Sequence, residues 1–265
     1  MDYIADSFYH FTSRKEYLFS IIKNGFYPRY CIENYSYLLK KYSSEPTIAI
    51  PMVCFCDIPI VFIEEHIKNY GEFAIAMKKE WGRKKLNPLF YLMDDSIPQK
   101  KLELLQGDLF GKLINNYPPN EDEEMFNHFK EIFDHFMDFI AYIKKYKGLS
   151  SKHGKKEIIF YREREWRWIP EIDEEDIKKG IILRLEPSDY PMIANKNKLI
   201  EEEKKYRLEF STDDVDYLIV DSEETKQELE QLLSNHGYNK PQLIDKVHIL
   251  EKLIKEYKEI LSNKK

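Results

Sequence analysis

Glu157-Ile-Ile-Phe-Tyr-Arg-Glu-Arg-Glu-Trp-Arg-Trp168 decides how the chain is read. As one β-strand, its period of two puts Ile158, Phe160, Trp166 and Trp168 on one face and Glu157, Tyr161, Glu163, Glu165 and Arg167 on the other. The aromatic face calls for a core. The opposite face carries two carboxylates in an E-x-E spacing, flanked by a tyrosine and an arginine. Carboxylates that close repel unless a partner or a ligand uses them. Taken alone, the stretch is satisfied by an exposed strand face laced with Glu–Arg pairs. A functional site needs something to face it.

Working outward, Phe8–Thr12 is a short strand. Ser13 then stands as a helix cap with Glu16 three residues on, and Asn24-Gly25 closes that helix. Residues 26–44 look irregular and aromatic-rich, as an active-site loop would. Ile48–Cys56 is a strongly apolar strand, with Pro51 marking its first half as an edge. Ile63–Lys68 is a short helix, and Phe73–Met77 and Pro88–Met93 are further strands. Lys101–Lys147 reads as helical with a break at Tyr117-Pro-Pro-Asn120. Within it Phe126, Phe129, Phe133, Phe136 and Ile140 form an apolar stripe at helical spacing, the mark of core packing. Ile181–Leu185 and Asp216–Asp221 are strand candidates, and Ser222 caps a helix from Glu223 to Leu233 that ends at His236-Gly237-Tyr238. Pro241–Leu261 is a closing helix, unless Val247–Leu250 forms a short edge strand, and the tail Asn263-Lys-Lys265 frays. Strands in uneven groups with helices between them favour an α+β fold. The expectation is one domain over residues 1–265, with a mixed, twisted sheet, flanking helices and a helical insertion over residues 97–150.

With 43% hydrophobic residues the chain can build a core of single-domain size. A net charge of −6 opposes non-specific nucleic-acid binding over the whole surface, although a local basic groove remains compatible with it. No apolar run reaches membrane-spanning length, and Met-Asp-Tyr-Ile-Ala-Asp is not a signal peptide. The three cysteines, Cys31, Cys54 and Cys56, with no secretion signal, point to a reducing cytoplasm. One C-x-C pair near His66 falls short of a zinc ligand set, so buried thiols are expected and no metal. There is no Walker A motif, no G-x-G-x-x-G loop and no G-x-S-x-G elbow.

Three features could converge: His10 at the end of the first strand, His66 and Tyr70 around a turn, and Glu163 and Glu165 on the later strand. A histidine can bond a ribose hydroxyl, an aromatic ring can stack on nicotinamide, and a glutamate can stabilise an oxocarbenium-like transition state. Tyr9-His10-Phe11-Thr12, followed by a helix ending Ile21-Ile-Lys-Asn-Gly-Phe26, resembles the opening of DNA-modifying ADP-ribosyltransferase toxins. That resemblance implies a transferase-like fold that uses NAD, with His10 on the ribose, Glu165 as the catalytic glutamate and Tyr70 as the middle aromatic. Tyr9, Thr12, Glu163 and Arg167 then complete the binding set, and a nucleic acid or a protein is the acceptor. The chain lacks that family's Ser-Thr-Ser motif.

A second resemblance is narrower. Ile50-Pro-Met-Val-Cys-Phe-Cys-Asp-Ile-Pro59, His66-Ile-Lys-Asn-Tyr-Gly71, Lys79-Glu-Trp-Gly82, Asn87-Pro88 and Glu163-Arg-Glu-Trp-Arg167 are together similar to the AbiGi family of abortive-infection proteins, from about Tyr9 to about Val220. It implies phage defence and an antitoxin-like role opposite a nucleotidyltransferase-type toxin, or contact with a phage protein. The two implications separate on geometry. Glu165 and His10 facing one open cleft favour an enzyme. Arg167 or another cation closing on Glu165 favours a non-catalytic regulator whose acidic surface suits a basic partner.

Overall fold

The computed structural model describes residues 5–39, 46–115, 123–150, 156–235 and 240–263. Its strands in chain order are β1 (Ser7–Thr12), β2 (Arg29–Asn34), β3 (Thr47–Cys56), β4 (Phe73–Lys78), β5 (Asn87–Pro88), β6 (Phe90–Leu92), β7 (Ile143–Lys145), β8 (Gly148–Ser150), β9 (Lys156–Ile158), β10 (Glu165–Trp168), β11 (Val215–Val220) and β12 (Val247–Ile249). The helices are α1 (Lys15–Asn24), α2 (Ser36–Leu39), α3 (Glu64–Tyr70), α4 (Lys79–Arg83), α5 (Ile97–Asn115), α6 (Glu123–Ile140), α7 (Glu174–Lys178), α8 (Ile193–Glu202), α9 (Glu223–Ser234) and α10 (Leu250–Asn263).

One eight-stranded sheet runs β12-β11-β4-β1-β3-β10-β5, with β2 also paired to β3. It is mixed, because β12 joins β11 in parallel while the other pairings are antiparallel. Period-2 alternation gives the sheet two buried faces. On one, Phe8, Phe55, Ile75, Met77, Leu218 and Val220 meet α1 and α9. On the other, Tyr9, Cys56, Ala74, Ala76 and Ile219 lie under α10. The same second face continues along β3 through Ile48, Ile50 and Met52, which pack under α6 by way of Phe136, Met137 and Ile140. The α6 stripe is therefore core, as its spacing predicts. Each such side chain taken from water stabilises the fold by roughly 1.5–3 kcal/mol.

Several sequence expectations are corrected. The stretch 157–168 is not one strand: β9 ends at Ile158, a 3-10 turn occupies Phe160–Glu163, and Arg164 adopts a left-handed backbone with φ 42° before β10 begins. Residues 26–44 hold β2 and α2 within their described part. Ser13 makes no capping box, since Arg14 is the N-cap residue and no side chain bonds there. Pro88–Met93 is split between β5 in the main sheet and β6, which pairs with β7. β7 itself falls where the sequence suggested helix. Ile181–Leu185 forms no strand; only Leu185 bridges to Ala49. That bridge also explains Pro51, which lies as expected on an edge-like half of β3, with a strand, β2, on one side only. Two residues after Ala49, it turns its missing N–H to the Leu185 side, so the β2–β3 ladder loses no bond. The closing segment takes the alternative form, an edge strand followed by α10. The Tyr117–Asn120 break, the helix end at His236–Tyr238 and the last two residues lie outside the described residues.

Two expected turns do form. Gly25 closes α1 at φ 83° with its N–H on the Ile21 carbonyl. The Ser222 side chain caps α9 by accepting the Thr225 N–H.

Candidate functional site

The register of three strands decides which candidate residues can meet. Tyr9 on β1 pairs with Cys56 on β3, and Cys56 pairs with Glu165 on β10. Directly paired residues share a face, so Tyr9, Cys56 and Glu165 lie on the side covered by α6 and α10. Tyr9 and Glu165 are two strand spacings apart, roughly 10 Å. His10, one residue on, points to the opposite side. It sits edge-on to Phe26 at 5.3 Å, lies 5.5 Å from Phe55, and donates from Nδ1 to the Cys54 carbonyl at 2.7 Å. Burial lowers its basicity against that hydrogen bond, so the ring is held neutral. The sheet itself separates His10 from Glu165, and the expected facing pair is not formed. Thr12 bonds the Arg14 carbonyl at 3.1 Å and braces the entry to α1.

The acidic candidates do come together, in a buried polar hub. Arg167 is 0% exposed and bonds in three directions. Its Nε donates to Glu165 Oε1 at 2.6 Å, Nη1 to the Ala141 carbonyl at 2.8 Å and Nη2 to Glu33 Oε1 at 2.7 Å. Lys144 on β7 donates to Glu165 Oε2 at 2.7 Å and to Glu163 Oε2 at 3.0 Å. The Tyr70 hydroxyl, at the end of α3, donates to Glu163 Oε1 at 3.0 Å. The Tyr91 hydroxyl accepts the Glu165 backbone N–H at 3.0 Å. Three carboxylates and two cations thus tie β2, β7, β10, α3 and the end of α6 together.

The charges are mutually fixed. Burial alone would push the Glu165 carboxyl up, but the charges of Arg167 and Lys144 outweigh it and hold the carboxyl well below the usual carboxylate range. Burial acts against both cations too, and Glu165 with Glu33 reverses that, keeping Lys144 and Arg167 charged. Burial, with the Glu163 charge beside it, pushes the Tyr70 hydroxyl far up, so it stays a donor. Each Glu165 oxygen accepts from a cation, Oε1 from Arg167 and Oε2 from Lys144. The exposed Glu–Arg strand face is replaced by a buried ionic hub.

The sequence did not point to Lys144, Glu33 or Tyr91. Lys144 was hidden in a run read as helix and Glu33 in one read as loop. The alternation Arg29-Tyr-Cys-Ile-Glu33 was the available signal for β2. His66 stacks on Tyr70 at 4.3 Å and so braces that ring. Asp57 accepts the Ala5 N–H and pairs with Lys79 at 2.6 Å. The cysteines are free thiols, and burial pushes Cys54 and Cys56 up. Among the described residues no three His, Cys, Asp or Glu side chains are grouped to hold a metal ion. No helix among them is long and apolar enough to cross a membrane.

A family model described as "Putative abortive phage resistance protein AbiGi, antitoxin" matches residues 24–221. The chain belongs to the AbiGi family. The abortive phage resistance protein AbiGi of Lactococcus lactis subsp. cremoris is 32% identical over 228 residues, which span 77% of this chain and 86% of the relative. No solved structure matches. Every side chain of the ionic hub lies inside the AbiGi match, whereas Tyr9, His10 and Thr12 lie before it.

Proposed function

We propose that this AbiGi-family chain acts in phage defence as an antitoxin-like regulator, restraining a nucleotidyltransferase-type toxin by direct contact. One observation carries the choice over catalysis: both Glu165 oxygens are bonded by buried cations, Arg167 and Lys144. A carboxylate so paired is poorly placed to polarise a ribose hydroxyl, and His10 is on the far side of the sheet. The family description supplies the word antitoxin. A net charge of −6 favours capture of a basic partner.

The test is co-expression with the cognate toxin, followed by size-exclusion chromatography of the pair. Relief of growth arrest together with a co-eluting complex supports contact inhibition. Unrelieved arrest with no complex sinks it.

A second reading keeps some support, because Tyr70, Glu163 and Glu165 do meet in one hub. On it, the chain binds NAD and cleaves it or transfers ADP-ribose to a nucleic acid or protein acceptor. Lys144 would have to release Glu165 first. Nicotinamide release by the parent protein and not by Glu165→Gln would favour this reading over the first.

A further inference from the structure

The 3-10 turn that interrupts the acidic stretch turns Tyr161 outward, where it is 49% exposed. The ring is nevertheless held. It stacks on Tyr146 at 5.5 Å with planes 20° apart, and Tyr91 meets it at 86° and 5.3 Å. The backbone is fixed as well, through Tyr161 N–H to the Tyr146 carbonyl at 3.2 Å. An exposed aromatic ring whose orientation is set by its neighbours loses little side-chain freedom when a flat ligand packs on it.

Cations stand beside these rings along the chain: Lys145 and Lys147 flank Tyr146, and Arg162 follows Tyr161, in a chain whose net charge is −6. Arg162, next to Tyr161, is exposed and its guanidinium makes no ion pair among the described residues. Lys147 is paired with Glu157 at 3.3 Å, and both side chains are largely solvated. Such an exposed pair is worth little and yields to a stronger anion. Lys145 pairs with Asp94 in the same region.

We infer that Tyr146 and Tyr161, together with Arg162 and Lys147, form a binding ledge for single-stranded nucleic acid. A base stacks on the phenol rings, and the flanking phosphates lie on the guanidinium and ammonium groups. Unpaired strands fit because their bases are free to stack; a duplex buries them. The acidic remainder of the surface confines binding to this ledge and restricts it to short segments. The inference is independent of toxin binding and of any chemistry at Glu165.

The test uses the full chain and fluorescein-labelled 12-nucleotide oligo(U), oligo(A) and oligo(dT), with duplex RNA as control, read by anisotropy at low and at physiological salt. Single strands are expected to bind, duplex much less, and affinity to fall steeply with salt. The RNA and DNA arms distinguish the two sources of the same chemistry. Tyr161→Ala is expected to weaken binding roughly tenfold, the loss of one stacked base. Arg162→Glu is expected to weaken it and to flatten the salt dependence. Both positions are exposed, and melting curves matching the parent confirm that the variants fold. Absence of single-strand binding by the parent, or binding that neither substitution changes, overturns the inference. Loss of toxin capture in these variants without any oligonucleotide binding also overturns it, and assigns the ledge to a protein partner.

Discussion

Arg167 is the side chain on which the buried charge most depends. It meets Glu165, Glu33 and the Ala141 carbonyl with no solvent contact, so removing it takes the bonded cation from Glu33 and leaves Glu165 with Lys144 alone. Arg167→Ala is expected to destabilise the fold by about 3–5 kcal/mol in urea titrations, the usual result of leaving buried charges unpaired. Arg167→Lys should recover only part of that, because one ammonium cannot reach in three directions as a guanidinium does. Acid should act on the same groups. The Glu165 carboxyl is lowered in the folded state, so its contribution is present above the unfolded carboxylate pKa of about 4.3 and is lost as pH falls from there through the folded value. His10 adds to this sensitivity. Its folded pKa is lowered, so stability is lost as pH falls below about 6.5, where the unfolded chain takes up the proton first. Urea midpoints should therefore fall from pH 7 to pH 3. Glu165→Gln should flatten the lower part of that curve and His10→Asn the upper part; unchanged curves would refute the assignments. Of these groups, the Arg167–Glu165 contact was legible in the sequence, because residues two apart on a strand share a face. Lys144 was not, since nothing local links β7 to β10.

Period-2 reading correctly placed the Trp166 and Trp168 side chains against the core, but it extended the strand too far. Alternation is blind to a 3-10 turn closed by a left-handed residue, and Phe160–Arg164 is where the strand is interrupted. That break aims Glu163 into the hub and Tyr161 out of it. A similar backbone demand is made at Gly71, which ends α3 with φ 100° and ψ 177°. A β-carbon there would come within 2.3 Å of the Thr12 carbonyl oxygen and 2.4 Å of Ser13 Cα. Gly71→Ala should cost at least the roughly 1–3 kcal/mol of a forbidden backbone region, measured as a lowered Tm. Because Tyr70 precedes Gly71, the variant should also loosen the Tyr70–Glu163 bond, detectable as faster exchange of the hydroxyl proton. The strong apolar runs, β3, β4 and β11, were legible to within a residue or two. The short elements β7 and α2 were not, since three or four residues show no period and owe their form to pairing.

The two buried faces of the sheet keep His10 and Glu165 apart, and no local pattern reveals that; it takes the register of β1, β3 and β10 together. The class of fold, with helices on a mixed sheet, was readable from the uneven grouping of elements. The strand order was not, because β11 and β12 join β4 from the far end of the chain. On the proposed contact mechanism, this acidic chain should associate with a basic toxin faster at low salt. Stopped-flow association rates should drop at least severalfold between about 20 and 200 mM salt, with a smaller change in dissociation. A rate indifferent to salt would refute electrostatic steering.

The strand order also sets a timetable for synthesis. The ribosome delivers β1, β3 and β4 early, yet the outer edge of β4 waits for Val215–Val220. Throughout that interval Ala74 and Ala76 belong to a strand whose unpaired N–H and C=O groups face outward, a template on which another nascent chain can pair. Polysomes crowded with this message, or slowed between α4 and β11, should therefore shed aggregates that a chain released at full length does not form.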